Sequence, residues 1–104
     1  MQLSDDNLLN DVAIHLDILS LNKHMKLKLE QMIASGKQYL RRFAPDLTDT
    51  DFADPDNSAK NLLLAYCLYA RSNATSAFME NYKADILMLR QEYEVREYEN
   101  QDNS

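Results

Sequence analysis

Turn-forming residues are almost missing from this chain: it has one Gly and two Pro in 104 residues. A β-rich fold of that length needs more of them, so the composition favours helices. A single Gly also leaves no Gly-rich loop to cradle a phosphate. The lone cysteine, Cys67, cannot form an internal disulfide. The N-terminal run MQLSDDNLL has neither a basic n-region nor an apolar h-region, so no signal peptide is expected. Together these point to an intracellular protein with Cys67 reduced. Long apolar runs are lacking too. The most apolar stretch, Leu62–Ala70, is closed by Arg71 and is half the length of the roughly 20 apolar residues a membrane span needs. Basic charge is scarce: the net charge is −6 and the pI about 4.7. A nucleic-acid binder should instead carry a basic face to displace counterions.

What is present suits one soluble domain. Apolar residues make up 45% and charged residues 27%, ordinary values for a globular protein. At this size a folded monomer hides only roughly 60–65% of its unfolded surface. Stability is therefore marginal, and a partner adds to it. The charge is polarised. Residues 1–44 carry six Lys/Arg against five Asp/Glu, residues 45–60 five Asp against Lys60, and residues 61–104 seven acids against four bases.

Hydrophobic spacing supplies the elements. Ser4 before Asp5 and Asp6 is a helix start, with a capping hydroxyl and two carboxylates at the positive end of the dipole. Leu8, Leu9, Val12, Ala13 and Leu16 then predict a helix over 5–17. Residues 18–23 have no period and read as a connection. Met25, Leu29, Met32, Ile33, Gly36, Leu40 and Phe43 form one stripe of a helix from about 24 to 43. Gly36 on that stripe implies close approach of another backbone, at a cost of about 1 kcal/mol against Ala. Pro45 ends this helix. Asp54-Pro55 reads as an N-cap and first helical residue. In the acidic segment between them, Leu47 and Phe52 pin the loop to the core. Beyond Pro55 the pattern is helical almost to the end. Leu62–Ala70 is apolar around most of its circumference, as a central buried helix is. Ser72, Asn73, Thr75 and Ser76 leave open a break. Phe78, Tyr82, Ile86, Leu89 and Tyr93 share one face of a further helix. The expected fold is all-α: a compact bundle of about four helices around a long buried central one, with a helical domain at 1–95 and a flexible acidic tail at 96–104.

Catalytic chemistry finds little support. His15 and His24 have no ligand partners at metal spacing. The Asp run 46–56 fails the calcium-loop pattern: counted from Asp49, position 5 is Ala53, position 6 Asp54 and position 12 Lys60. Cys67 lies where a free cysteine is usually a small core residue, without a base to activate it. No metal, no cofactor and no enzymatic activity are expected. Six Tyr, by contrast, exceed a monomer's needs. Tyr66 and Tyr82 suit the core edge or an interface equally. Tyr93 and Tyr98 suit an interface, since their surroundings look too polar for a core. Small residues Ala70–Ala77 would admit a close neighbour.

The run AKNLLLAYCLYARSNA (Ala59–Ala74), followed by FMENYKADILMLRQEYEV (Phe78–Val95), resembles the small helical head–tail connector, or adaptor, proteins of tailed bacteriophages. The earlier segments LLNDV (Leu8–Val12) and KLKLEQMIASGKQYL (Lys26–Leu40) are similar in the same order. The resemblance covers most of the chain, fades after Val95, and includes no chemical signature. It implies a virion protein, made in the bacterial host, that forms a ring beneath the portal and joins the DNA-filled head to the next neck, stopper or tail protein. Family symmetry implies about twelve copies on the portal, with the free protein possible as a monomer, and DNA passing through without sequence-specific binding. By the same resemblance the C-terminal segment meets the portal, which nominates Leu89, Arg90, Tyr93, Val95, Arg96 and Tyr98. Leu47, Asp49, Asp51 and Phe52 are nominated for the next neck protein. Lys26, Lys28, Lys37, Arg41, Arg42 and Arg71 are nominated for contacts between subunits, facing acids on a neighbour. The alternative is a helix-turn-helix-like or antitoxin-like regulatory module binding protein or DNA through residues 23–42, the only basic candidate helix.

Overall fold

The computed structural model describes residues 3–18 and 22–102, with side chains at 8–18 and 22–96. Six helices follow one another: α1 (Leu3–His15), α2 (Lys23–Arg41), α3 (Asp49–Ala53), α4 (Ser58–Arg71), α5 (Thr75–Asn81) and α6 (Lys83–Asp102). The all-α class is as expected, and the described residues contain no strand. Among the described residues the helix count is six, not about four. The central helix is α4, which packs against all five others. It is not the long one: its 14 residues compare with 19 in α2 and 20 in α6. It is central because two successive turns, Leu62, Leu63, Ala65 and Cys67, are buried around its circumference.

Local signals account for most boundaries. In α2, Asn22 caps the start by accepting from the Met25 N–H at 2.8 Å. The buried stripe is Leu29, Ile33, Gly36 and Leu40. A Cβ on Gly36 would stand 2.6 Å from Leu63 Cδ1 and 2.9 Å from Tyr66 Cδ1. The close approach expected there is real, but α4 side chains fill the space rather than its backbone. α1 begins at Leu3, ahead of Ser4, whose side chain lies outside the described residues, as do residues 19–21 of the expected connection. α1 and α4 end alike. Ile18 N–H reaches Ala13 O and Asp17 N–H reaches Ile14 O, while Ala74 N–H reaches Tyr69 O and Asn73 N–H reaches Ala70 O. Both are Schellman closures. They place Asp17 (φ 61) and Asn73 (φ 55) in the left-handed region, which Asn and Asp tolerate better than other non-Gly residues. The break left open at 72–76 is this second closure.

Three boundaries differ from expectation. Asp54-Pro55 does not start α4. Asp54 closes α3, and Asn57 caps α4 through its side-chain oxygen and the Ala59 N–H at 2.9 Å. A competing local structure takes the acidic segment: Thr48 and Asp51 form a capping box that starts α3. The C-terminal segment is helical to Asp102, where a loose tail from residue 96 was expected. The last helix also divides at Tyr82. The i→i−4 bonds Tyr82 N–H to Phe78 O and Ile86 N–H to Tyr82 O persist, both 2.9 Å, so α5 and α6 join at a one-residue bend.

The radius of gyration is 14.4 Å, above the ~13 Å of a sphere-like globule of this length. The extents are 48 × 34 × 19 Å, a plate about two helix diameters thick. One core runs through it, from Leu8 and Val12 of α1 and Leu16 just past its end to Phe78, Ile86 and Leu89. Around Phe78 an aromatic cluster gathers Tyr39, Tyr66, Tyr69 and Tyr82, with centroids 5.0–6.1 Å from its ring. These tyrosines are half-buried, with Tyr66 and Tyr82 at the core edge.

Candidate assembly surface

α6 is seated by one row and open on the other. Ile86, Leu89 and Tyr93 recur at helical spacing and face inward, 3%, 1% and 6% exposed. The Tyr93 hydroxyl accepts from Asn57 Nδ2 at 2.8 Å. Asn57 therefore caps α4 with one side-chain atom and ties down α6 with another. Burial pushes the Tyr93 phenol above its ordinary value, and the Arg96 guanidinium lies 4.7 Å from its ring centroid. On the opposite side of α6, Ala84, Met88, Gln91 and Val95 recur at spacings of four, three and four, all exposed. Met88 is 66% exposed and Val95 55%. Between α4 and α6 runs a groove of about 560 Å³, with buried Leu62, Ala65 and Leu89 and exposed Leu68 and Met88 in its lining, beside Asp85 and Glu92.

These positions sort the C-terminal candidates. Val95, Arg90 and Arg96 are on the surface, Arg90 paired to Glu94 at 2.8 Å. Leu89 and Tyr93 belong to the core, which α6 makes by borrowing the walls of α4 and α5, so the polarity of the neighbouring sequence misleads there. A partner touches those two only if α6 lifts. The Tyr98 side chain lies outside the described residues.

The acidic loop is also held inward. Leu47 and Phe52 are 3% and 0% exposed. They pin the loop as expected and present no surface to a neck protein in this conformation. Asp49 accepts from Lys37 Nζ at 3.1 Å and Arg41 Nη2 at 3.2 Å. The bond from Lys37, with the two positive charges, holds its carboxyl below the usual carboxylate value. Asp51 completes the capping box. Both cations also approach the Phe52 ring, at 5.8 and 5.2 Å from its centroid.

The nominated bases therefore fall into two groups. Lys37 and Arg41 serve the loop of their own subunit, and Arg41 Nε also donates to Leu47 O at 2.9 Å. Arg71 donates to Leu16 O, closing the end of α1. Lys26, Lys28 and Arg42 are exposed. Cys67 is fully buried in α4, and burial pushes its thiol up to about 12, so it stays protonated. No helix among the described residues is long and apolar enough to cross a membrane.

Sequence reasoning passed over Met88, Leu68 and Leu27, the last 52% exposed. The signal for Met88 and Leu27 was the four–three–four spacing of rows off the core stripe, while Leu68 lay within the apolar run Leu62–Ala70. The chain matches no family model, no curated protein and no solved structure.

Proposed function

We propose that this chain is a structural subunit of a tailed-phage head–tail junction. It assembles as a ring of about twelve copies beneath the portal and carries the next neck or tail protein. It works as scaffold rather than enzyme, at the junction through which DNA leaves the head. The observation that carries the reading is the outer face of α6: an exposed row of Met88 and Val95, acid-flanked, on a helix whose other face is already committed to the core. The runs Ala59–Ala74 and Phe78–Val95, which resemble the connector proteins, build this part of the molecule.

The test is mass by light scattering with sedimentation, first on the free protein and then with a purified phage portal. A portal-bound ring is expected, weakened by Val95→Asp and by removal of residues 97–104. A deletion from residue 89 would be uninformative, because Leu89 and Tyr93 hold the core. A strict monomer indifferent to the portal at every salt concentration sinks the reading. Salt-sensitive binding to duplex DNA in that case turns the assignment to a regulatory module using Lys23, Lys26 and Lys28.

A further inference from the structure

The molecule carries a second exposed row, on α2. With Leu29, Ile33, Gly36 and Leu40 turned to the core, the 100° step of a helix puts Leu27, Gln31, Ala34 and Gln38 on the far side. All four are exposed. Their spacing is again four, three and four, the same as Ala84, Met88, Gln91 and Val95 on α6. The two rows differ in what flanks them. Exposed Lys26 and Lys28 stand on either side of Leu27. Asp85 and Glu92 stand beside Met88, at the rim of the α4–α6 groove. Lengths agree as well: Leu27 to Gln38 spans about 16 Å along its helix and Tyr82 to Glu92, the α6 side of the groove, about 15 Å.

We infer that the outer face of α2 of one copy seats in the α4–α6 groove of a second copy, Leu27 against Leu68 and Met88, with Lys26 and Lys28 beside Asp85 and Glu92. This rests on the reading of the chain as a ring subunit and names the contact. The two surfaces are unlike and lie on different helices of one chain, so the contact is head-to-tail and propagates until it closes. Of the α6 row only Met88 lines the groove, and the alanine and glutamine of the α2 row allow close packing but add little apolar area. One such helix-on-groove contact falls short of the area of a standard stable interface. Each joint is therefore weak in isolation and gains from repetition around a ring or on a template.

Charge reversal tests it. All four charged residues are exposed, so Lys26→Glu/Lys28→Glu and Asp85→Lys/Glu92→Lys should leave the fold intact, checked by circular dichroism. Self-association is followed by sedimentation up to about 1 mM. Each reversal should weaken association about tenfold. An equimolar mixture of the two variants, or one chain carrying both, should recover it. Association that ignores the reversals, or a mixture that fails to recover, overturns the contact. A second measurement covers a joint too weak for sedimentation: Leu27→Cys protein mixed with Met88→Cys protein, treated with a short bismaleimide, free and on the portal. Buried Cys67 does not compete. A 27–88 cross-link well above that of an Ile14→Cys/Met88→Cys control supports the contact, and its absence in both settings overturns it. A portal-bound ring that persists through both reversals removes this contact while leaving the ring itself standing.

Discussion

Replacing Gly36 by alanine sets two effects of opposite sign against each other. In a helix interior Gly→Ala gains about 1 kcal/mol, because glycine loses more backbone freedom on folding. Against this stands the space. The new Cβ would lie 2.6 Å from Leu63 Cδ1 and 2.9 Å from Tyr66 Cδ1, inside van der Waals contact for both. Leu63 is 0% exposed, so its methyl has no solvent to move into. The Tyr66 ring is stacked on Tyr39 at 6.0 Å and meets Phe78 edge-on at 5.5 Å, so shifting it disturbs the aromatic cluster. Overpacking a filled site costs about 1–3 kcal/mol. The expected net result is a loss of about 1 kcal/mol, or about 4–8 °C in Tm for a domain of this size. Urea unfolding should show a lower midpoint with an unchanged slope. Leu63→Val, which withdraws the clashing methyl, should soften the effect of Gly36→Ala, a coupling of about 0.5–1 kcal/mol in a double-mutant cycle. A Gly36→Ala protein that is more stable by about 1 kcal/mol, with no coupling to Leu63, would refute the packing argument.

Other residues give independent tests. Asp17→Gly should stabilise the protein by about 0.5–1 kcal/mol in thermal melts, since it relieves a non-glycine left-handed residue and removes a carboxylate from the negative end of α1. Asn57→Ala removes a cap and the tie to Tyr93 together. It should cost about 1–2 kcal/mol, and its cycle with Tyr93→Phe should reveal a coupling of about 0.5–1.5 kcal/mol. Asp49→Asn should cost under about 1 kcal/mol at neutral pH, because the carboxylate stays half exposed. The folded-state value of Asp49 lies below its ordinary 3.8. Its stabilisation is therefore present above 3.8 and fades as pH falls through the lowered value. Wild type and variant should converge in acid urea titrations, and a gap that persists there would contradict the ion-pair account.

The amphipathic stripes of α1, α2 and α6 were legible because each repeats over at least about two turns. Gly36 was legible as a contact because nothing else explains glycine on an apolar stripe. The buried core of α4 followed from an apolar run too short for a membrane and too uniform for a surface. Cap choice was less legible. Asp54-Pro55 and Asn57 are both competent starts, and the Thr48–Asp51 box decided between them by claiming the acidic segment for α3. The charge of the acidic loop is visible in the sequence, but the pairing of Asp49 is not, because Lys37 and Arg41 come from another helix.

The sequence by itself determined that this chain is helical, where most helices run, and which face of each is apolar. Those are properties of spacing along one helix, where neighbours in space are three and four residues apart. Only the tertiary structure decided which apolar residues remain on the surface. Leu89 and Met88 are adjacent and both apolar, yet one is buried and the other is left 66% exposed beside a groove. That assignment depends on where α4 lies, and helix packing is settled by the whole core rather than by any single segment.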